Sequence, residues 1–172
     1  ERPAETDADL LRVDGDKVLA KGVPIYLTGR IVDRRGQPLA NAAIEIWQCD
    51  ANAVYHHPAG GAEAERDPNF QGYGVARVDA AGAFHFRTIK PIAYPGRTPH
   101  IHVRVQPTAG SAFATQLYLA DDPNNRRDFL FSRMSAEEQA ALTLKFEPTP
   151  SVAPHPLARA TQWTARTELV VA

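Results

Sequence analysis

Apolar and polar residues alternate with a period of two in several short stretches of the chain, the spacing expected of half-buried strands. Residues 25–32, 42–48, 75–78, 83–88, 100–106, 113–119 and 162–171 read as strands, rich in β-branched and aromatic side chains. Turn chemistry separates them. Asp33-Arg34-Arg35-Gly36 and Asp79-Ala80-Ala81-Gly82 each put a glycine where a hairpin loop needs positive φ, so pairs of antiparallel strands are expected across them. Strands at this spacing, joined by turns without intervening helices, predict an all-β fold, an antiparallel β-sandwich or barrel. One short peripheral helix is predicted over residues 135–142, where Ser135 and Glu138 make a capping-box pattern ahead of apolar positions.

The same pass divides the chain. Residues 1–22 read as an N-terminal arm with weak order, and residues 23–172 as one domain. Residues 50–74 form a loop of about 25 residues without clear periodicity, longer than the roughly 12–15 usual for a structureless connection, and loops of that length are often functional. Four prolines between Pro148 and Pro156 predict a stiff, extended segment.

Composition narrows the function classes. With 172 residues, 44% hydrophobic and 23% charged, the chain can bury a full core without a disulfide or metal staple, so a metal would serve chemistry before stability. Lys and Arg number 19 against 20 Asp and Glu, a net charge of -1 with no basic stripe, which argues against nucleic acid or an anionic membrane as partner. No apolar run approaches the roughly 18 residues that span a bilayer, so the chain reads as soluble. Cys49 is the lone cysteine, which excludes an intramolecular disulfide and a Cys-based zinc cluster. It reads as a buried inert thiol, since no cation is adjacent in sequence.

The densest chemistry lies between Thr88 and Val105. On a strand over residues 100–106, His100, His102, Arg104 and Gln106 share one face, while Ile101, Val103 and Val105 share the other. Two imidazoles about 6.5 Å apart along a strand can converge on one metal, although two exposed strand histidines explain the pair equally well. Tyr55 and Tyr94 are nearby candidates. Tyrosine is a rare ligand because its pKa is about 10, so only a strongly Lewis-acidic ion such as ferric iron deprotonates it near neutrality. A ferric ion with two phenolates, two neutral imidazoles and one hydroxide sums to zero charge, and exchange of the hydroxide and one phenolate for a catechol dianion keeps it at zero. Taken singly, either tyrosine is better explained as a half-buried residue with a hydrogen-bonded hydroxyl.

A resemblance ties these residues together. Gly29-Arg30-Ile31-Val32-Asp33, Glu45-Ile46-Trp47-Gln48, Tyr55-His56-His57, Asp67-Pro68-Asn69-Phe70, Phe86-Arg87-Thr88-Ile89-Lys90-Pro91, Tyr94-Pro95, Pro99-His100-Ile101-His102 and Thr115-Gln116-Leu117-Tyr118 follow in the same order as in the intradiol ring-cleavage dioxygenases. The likeness is to the protocatechuate 3,4-dioxygenase branch and runs over about residues 24–123. It implies a β-sandwich with long active-site loops, one Fe(III) per chain held by Tyr55, Tyr94, His100 and His102, and Tyr94 as the ligand released when substrate chelates. Arg97 matches an arginine that stabilises carbanion character in the substrate, and Gln116 a glutamine beside the iron. The implied reaction cleaves a catechol-type diol with O2 to a cis,cis-muconate-type diacid.

Departures from the family pattern are visible. The interval from Tyr94 to His100 is short for that branch, and Gly96 stands where the branch has a tryptophan, so a more open pocket is expected. Residues 1–22 are too short for the helical domain of the catechol 1,2-dioxygenase branch. The chain thus resembles a stand-alone catalytic sandwich of a kind often exported in bacteria; its opening Glu1 fits either a trimmed export signal or a fragment boundary. Edge strands leave homo-oligomers open. His56 and His57 read as pocket or surface residues, His85 and His155 receive no role, and the run from Asp121 to Asp128 reads as a solvated turn without the spacing of a calcium loop. The rival reading is a transthyretin-like β-sandwich that binds a carbohydrate or another protein and has lost catalysis, motivated by the opening G-R-I-V-D and G-Q-P-L-A-N-A segments.

Overall fold

The computed structural model describes residues 7–13, 18–56 and 65–171. Nine strands form in chain order: β1 (Pro24–Asp33), β2 (Ala43–Trp47), β3 (Tyr73–Arg77), β4 (Ala83–Ile89), β5 (His100–Gln106), β6 (Phe113–Leu119), β7 (Thr143–Leu144), β8 (Phe146–Pro148) and β9 (Trp163–Val171). They build two sheets, ordered β4-β1-β9-β8 and β3-β2-β5-β6-β7. The all-β sandwich expected from the alternation is present. Most neighbours are antiparallel, but β1 runs parallel to β9 and β6 parallel to β7. Alternation fixes which face a residue takes and carries no information on strand direction.

The inward faces make the core. Ile25, Leu27, Phe84 and Phe86 from one sheet are packed with Ile44, Ile46, Ile101, Val103 and Val105 from the other, all essentially without solvent exposure. Each such side chain contributes about 1.5–3 kcal/mol relative to leaving it in water. Gly36 and Gly82 have φ of 77° and 83°, and Asp33 and Asp79 each accept two backbone N–H bonds across their turns, as the D-x-x-G reading requires. The hairpins expected at these turns do not form: β1 and β2 lie in different sheets, as do β3 and β4, because each turn carries the chain from one sheet across to the other. The turns are corners of the sandwich.

Two expectations change. The weakly ordered arm is, over residues 7–13, packed onto the sandwich: Leu10 and Leu11 are fully buried, Leu10 N donates to Arg87 O, and Asp9 pairs with Arg87. Two adjacent leucines supply apolar area that a short segment can bury without any periodicity to advertise it. The helix α1 (Ala136–Ala141) is capped by Ser135 with the reciprocal Glu138 bond in place, and it is peripheral, with no buried residue. The proline-rich segment bends at 151–152 and 154–155 rather than running extended throughout, and it leads into a 3-10 turn, Pro156–Ala158. Among the described residues, no helix is long and apolar enough to cross a membrane.

Candidate metal centre

Strand β5 sets the centre. Its period of two buries Ile101, Val103 and Val105 and turns His100, His102, Arg104 and Gln106 to the opposite face, away from the partner sheet. Arg104 confirms that face by bonding Gln106 and pairing with Glu45 at 3.1 Å. Cross-strand register then places Trp47 and Gln116 on either side of His102, and Tyr118 beside His100. The Trp47 indole stacks on the His102 ring, centroids 4.8 Å apart and nearly parallel.

Two loops bring the tyrosines over this face. The first hangs from Asp50, a fully buried carboxylate that accepts from the backbone N–H groups of Asn52, Val54 and Asp67 and lies 3.3 Å from His56 Nε2. Those bonds close a turn that ends one residue before Tyr55. The second is a turn over Tyr94-Pro95-Gly96-Arg97, in which Arg97 N donates to Tyr94 O at 2.9 Å and Gly96 has φ of 84°. Proline followed by a positive-φ glycine is the type II pattern. The turn sets Tyr94 and Arg97 side by side.

The four predicted donors meet. Tyr55 Oη lies 3.1 Å from His102 Nε2 and 3.4 Å from His100 Nε2, Tyr94 Oη lies 3.5 Å from His100 Nε2, and the two Nε2 atoms are 3.2 Å apart. Donors about 3 Å apart match the edges of a coordination shell whose bonds are about 2 Å long. His100 Nδ1–H donates to Thr98 O at 2.7 Å. A carbonyl can only accept, so in the neutral ring the proton sits on Nδ1 and the Nε2 lone pair faces the centre. Burial holds His102 down to about 4, reinforced by His100 and Arg97, and burial also lowers His100, so both imidazoles are neutral near pH 7. Burial and the neighbouring Tyr94 hydroxyl push Tyr55 well above its ordinary value, so its phenol stays protonated until a strong Lewis acid arrives. Among the described residues no group of three His, Cys, Asp or Glu side chains could hold a metal ion.

Arg97 and Gln116 join the same cluster. Arg97 Nη2 donates to Gln116 Oε1, which also accepts from Tyr118 Oη at 3.0 Å, and the guanidinium lies 5.3 Å from the centroid of the Phe129 ring. A cavity of about 330 Å3 opens beside Tyr94, Gly96 and Arg97. A Cβ built on Gly96 meets nothing within 4 Å. Cys49 is buried, and burial followed by Asp50 raises its thiol to about 11, the inert state expected of it. His56 packs edge-on against Phe70 and points to Asp50, not toward the four donors; His57 lies outside the described residues.

The run 121–128 departs from the solvated turn expected of it. Asn125 and Asp128 are buried; Asn125 accepts from Thr98 Oγ1 at 2.7 Å, and Asp128 pairs with Arg97 at 2.8 Å. Trp47, Thr98 and Asp128 are site residues that strand periodicity could not single out. Of these only Trp47 stood within a motif, and Asp128 was masked by the exposed charges around it.

Known proteins are similar to this chain in sequence and fold. The dioxygenase family model Dioxygenase_C matches residues 1–153. The chain is 38% identical to the protocatechuate 3,4-dioxygenase beta chain of Burkholderia cepacia, over 73% of this chain and 63% of that protein. It is 26% identical to catechol 1,2-dioxygenase of Candida albicans, over 69% of this chain and 45% of the relative. The chain thus spans less than two thirds of the length of either. The dioxygenase domain of a dioxygenase–carbohydrate-binding protein fusion from the cellulolytic bacterium Streptomyces sp. SirexAA-E superposes with a TM-score of 0.71 at 26% identity, covering 99% of this chain and 89% of that one. Family model, relatives and fold agree, and the chain belongs to the intradiol ring-cleavage dioxygenase family.

Proposed function

We propose that the chain is a non-haem Fe(III) intradiol dioxygenase that cleaves a catechol-type diol with O2 to a cis,cis-muconate-type diacid, with one iron per chain held by Tyr55, Tyr94, His100 and His102. The observation that carries this reading is the convergence of two phenol oxygens and two Nε2 atoms: Tyr55 Oη lies 3.1 and 3.4 Å from the two Nε2 atoms, which are 3.2 Å apart, and Tyr94 Oη lies 3.5 Å from that of His100. The donor chemistry fits the ion: two neutral imidazoles need no proton displaced at neutral pH, and two phenols select a cation acidic enough to ionise them. Ferric iron, when bound, supplies that Lewis acidity and draws electron density out of a coordinated diol.

The protein's own groups do the remaining work. Tyr94 sits on a short surface turn, and its Oη as phenolate is placed to take a proton from an incoming diol hydroxyl and withdraw as a phenol. Tyr55, enclosed between Tyr94 and His102, stays in place. Arg97 directs N–H groups toward negative charge developing on the diol ring, in surroundings where such a dipole counts for more than in water. Gln116 steadies one arm of that guanidinium. His100 is held in a single tautomer by Thr98, so its lone pair needs no reorganisation. The 330 Å3 cavity beside Tyr94 and Arg97 gives a flat ring room to enter, and the glycine at position 96 favours diols with substituents over a tightly enclosed one.

Metal analysis and oxygen uptake test the proposal. Reconstituted protein is expected to hold about one iron per chain, to be burgundy from phenolate-to-iron charge transfer, and to consume O2 with at least one member of a panel of catechol, protocatechuate, hydroxyquinol and bulkier ortho-diphenols. A colourless iron-loaded protein refutes it. No iron after reconstitution supports the non-catalytic binding module instead.

A further inference from the structure

Asp128 stands in the loop that follows β6, and its carboxylate is completely enclosed. Each oxygen accepts two hydrogen bonds: Oδ1 from the backbone N–H groups of Leu130 and Phe131, both at 3.0 Å, and Oδ2 from Arg97 Nε at 2.8 Å and Thr98 N at 3.0 Å. Burial alone would push the acid up, but these donors together hold it below its ordinary value, so it stays ionised. The sharing of Oδ2 matters most. Arg97 and Thr98 are consecutive, and one atom grips the side chain of the first and the peptide of the second.

The consequences run into the centre from both residues. With Nε bound to Asp128, one Nη2–H bound to Gln116 and one face against Phe129, the guanidinium has a single orientation. Thr98, fixed through its N–H, presents the carbonyl that keeps the proton of His100 on Nδ1. The ion pair is close to neutral as a unit, so Arg97 acts by aimed N–H groups more than by net charge.

We propose that Asp128 is a positioning residue of the centre, holding through one oxygen both the Arg97 guanidinium and the Thr98 peptide that sets the His100 tautomer. Its kinetic consequence rests on the iron-dependent reading above; its geometric content does not. Asp128→Asn is nearly isosteric, and with its NH2 turned toward Arg97 Nε and Thr98 N it leaves both without an acceptor; Asp128→Ala leaves no acceptor for any of the four donors.

The test uses two readouts. In 15N-labelled metal-free protein, the Arg97 Nε–H signal exchanges slowly compared with that of exposed Arg166, and the His100 nitrogen shifts report an Nδ1–H tautomer. In Asp128→Asn the Arg97 signal joins the fast-exchanging class and His100 shows a mixture of tautomers. In iron-loaded Asp128→Asn assayed with catechol, kcat per bound iron falls about 100-fold, the loss typical of a reacting group displaced by about 1 Å, with KM changed less than about threefold. A merely structural role would lower folded protein and iron content without moving kcat per bound iron. Slow Arg97 exchange, or an unchanged kcat per iron, in folded Asp128→Ala overturns the proposal, and so does the same result in folded Asp128→Asn when the Leu130 and Phe131 amides also keep slow exchange. If Asp128→Asn does not fold, wild-type exchange decides: an Arg97 Nε–H as fast as that of Arg166 overturns it and a slow one supports it. If wild-type protein cleaves no diol, the reading of function fails while the exchange experiment still decides the role of Asp128.

Discussion

In the metal-free protein, His102→Phe should flatten the dependence of stability on pH. His102 is held at about 4 against an ordinary 6.5, chiefly by burial. In the unfolded chain it returns to its ordinary value, so on acidification the unfolded state takes up a proton first. The contribution is therefore complete above pH 6.5 and is lost progressively as the pH falls toward 4. At about 1.4 kcal/mol per unit, the full depression amounts to about 3 kcal/mol, and the part lost by pH 5 to about 2 kcal/mol. The ring is partly exposed, and solvent screening trims the loss at pH 5 to about 1–2 kcal/mol. Phenylalanine keeps a flat ring against Trp47 and carries no proton. Urea unfolding with chelator present, at pH 8, 6.5 and 5, measures both proteins. The wild type should lose stability steeply toward pH 5 and the variant less so, its residual slope coming from His100 and His85, which burial also lowers. Equal losses in the two proteins would refute the reasoning. The same depression means that a metal ion meets an unprotonated Nε2 at neutral pH.

Other outcomes follow from the same geometry. Tyr94→Phe removes one of the two phenols, so the visible band of the iron-loaded protein should weaken or shift and diol cleavage should slow; an unchanged spectrum would remove Tyr94 from the ligand set. Asp50→Ala strips the acceptor from three backbone N–H groups behind Tyr55 and should cost on the order of 3 kcal/mol, read by urea unfolding, and weaken iron retention, read by titration with a chelator. Gly96→Ala puts a Cβ at φ 84° with no neighbour to clash, so thermal unfolding should show a loss of about 1–2 kcal/mol from backbone strain alone. No loss there would mean that the turn bearing Tyr94 and Arg97 can change conformation freely.

Much of this protein is local, and what is local can be read along the chain. The period of two found the strands β5 and β6 over their full lengths, and it assigned His100 and His102 to one face before any neighbour was known. Turn glycines and the Ser135–Glu138 cap work through contacts within four residues, so they too were legible. The donors Tyr55, Tyr94, His100 and His102 were named from motif order, but nothing in their spacing brings Tyr55 within 3.1 Å of His102. That contact depends on a loop folded around buried Asp50, whose partners lie up to 17 residues away. Parallel pairing of β1 with β9 joins the two ends of the domain, and its benefit comes only after a long loop has closed, which no local pattern encodes. Asp128 shows the limit most plainly. Surrounded in sequence by exposed charges, it is buried because four donors from two segments converge on it, and only the packed chain assembles those donors around one carboxylate.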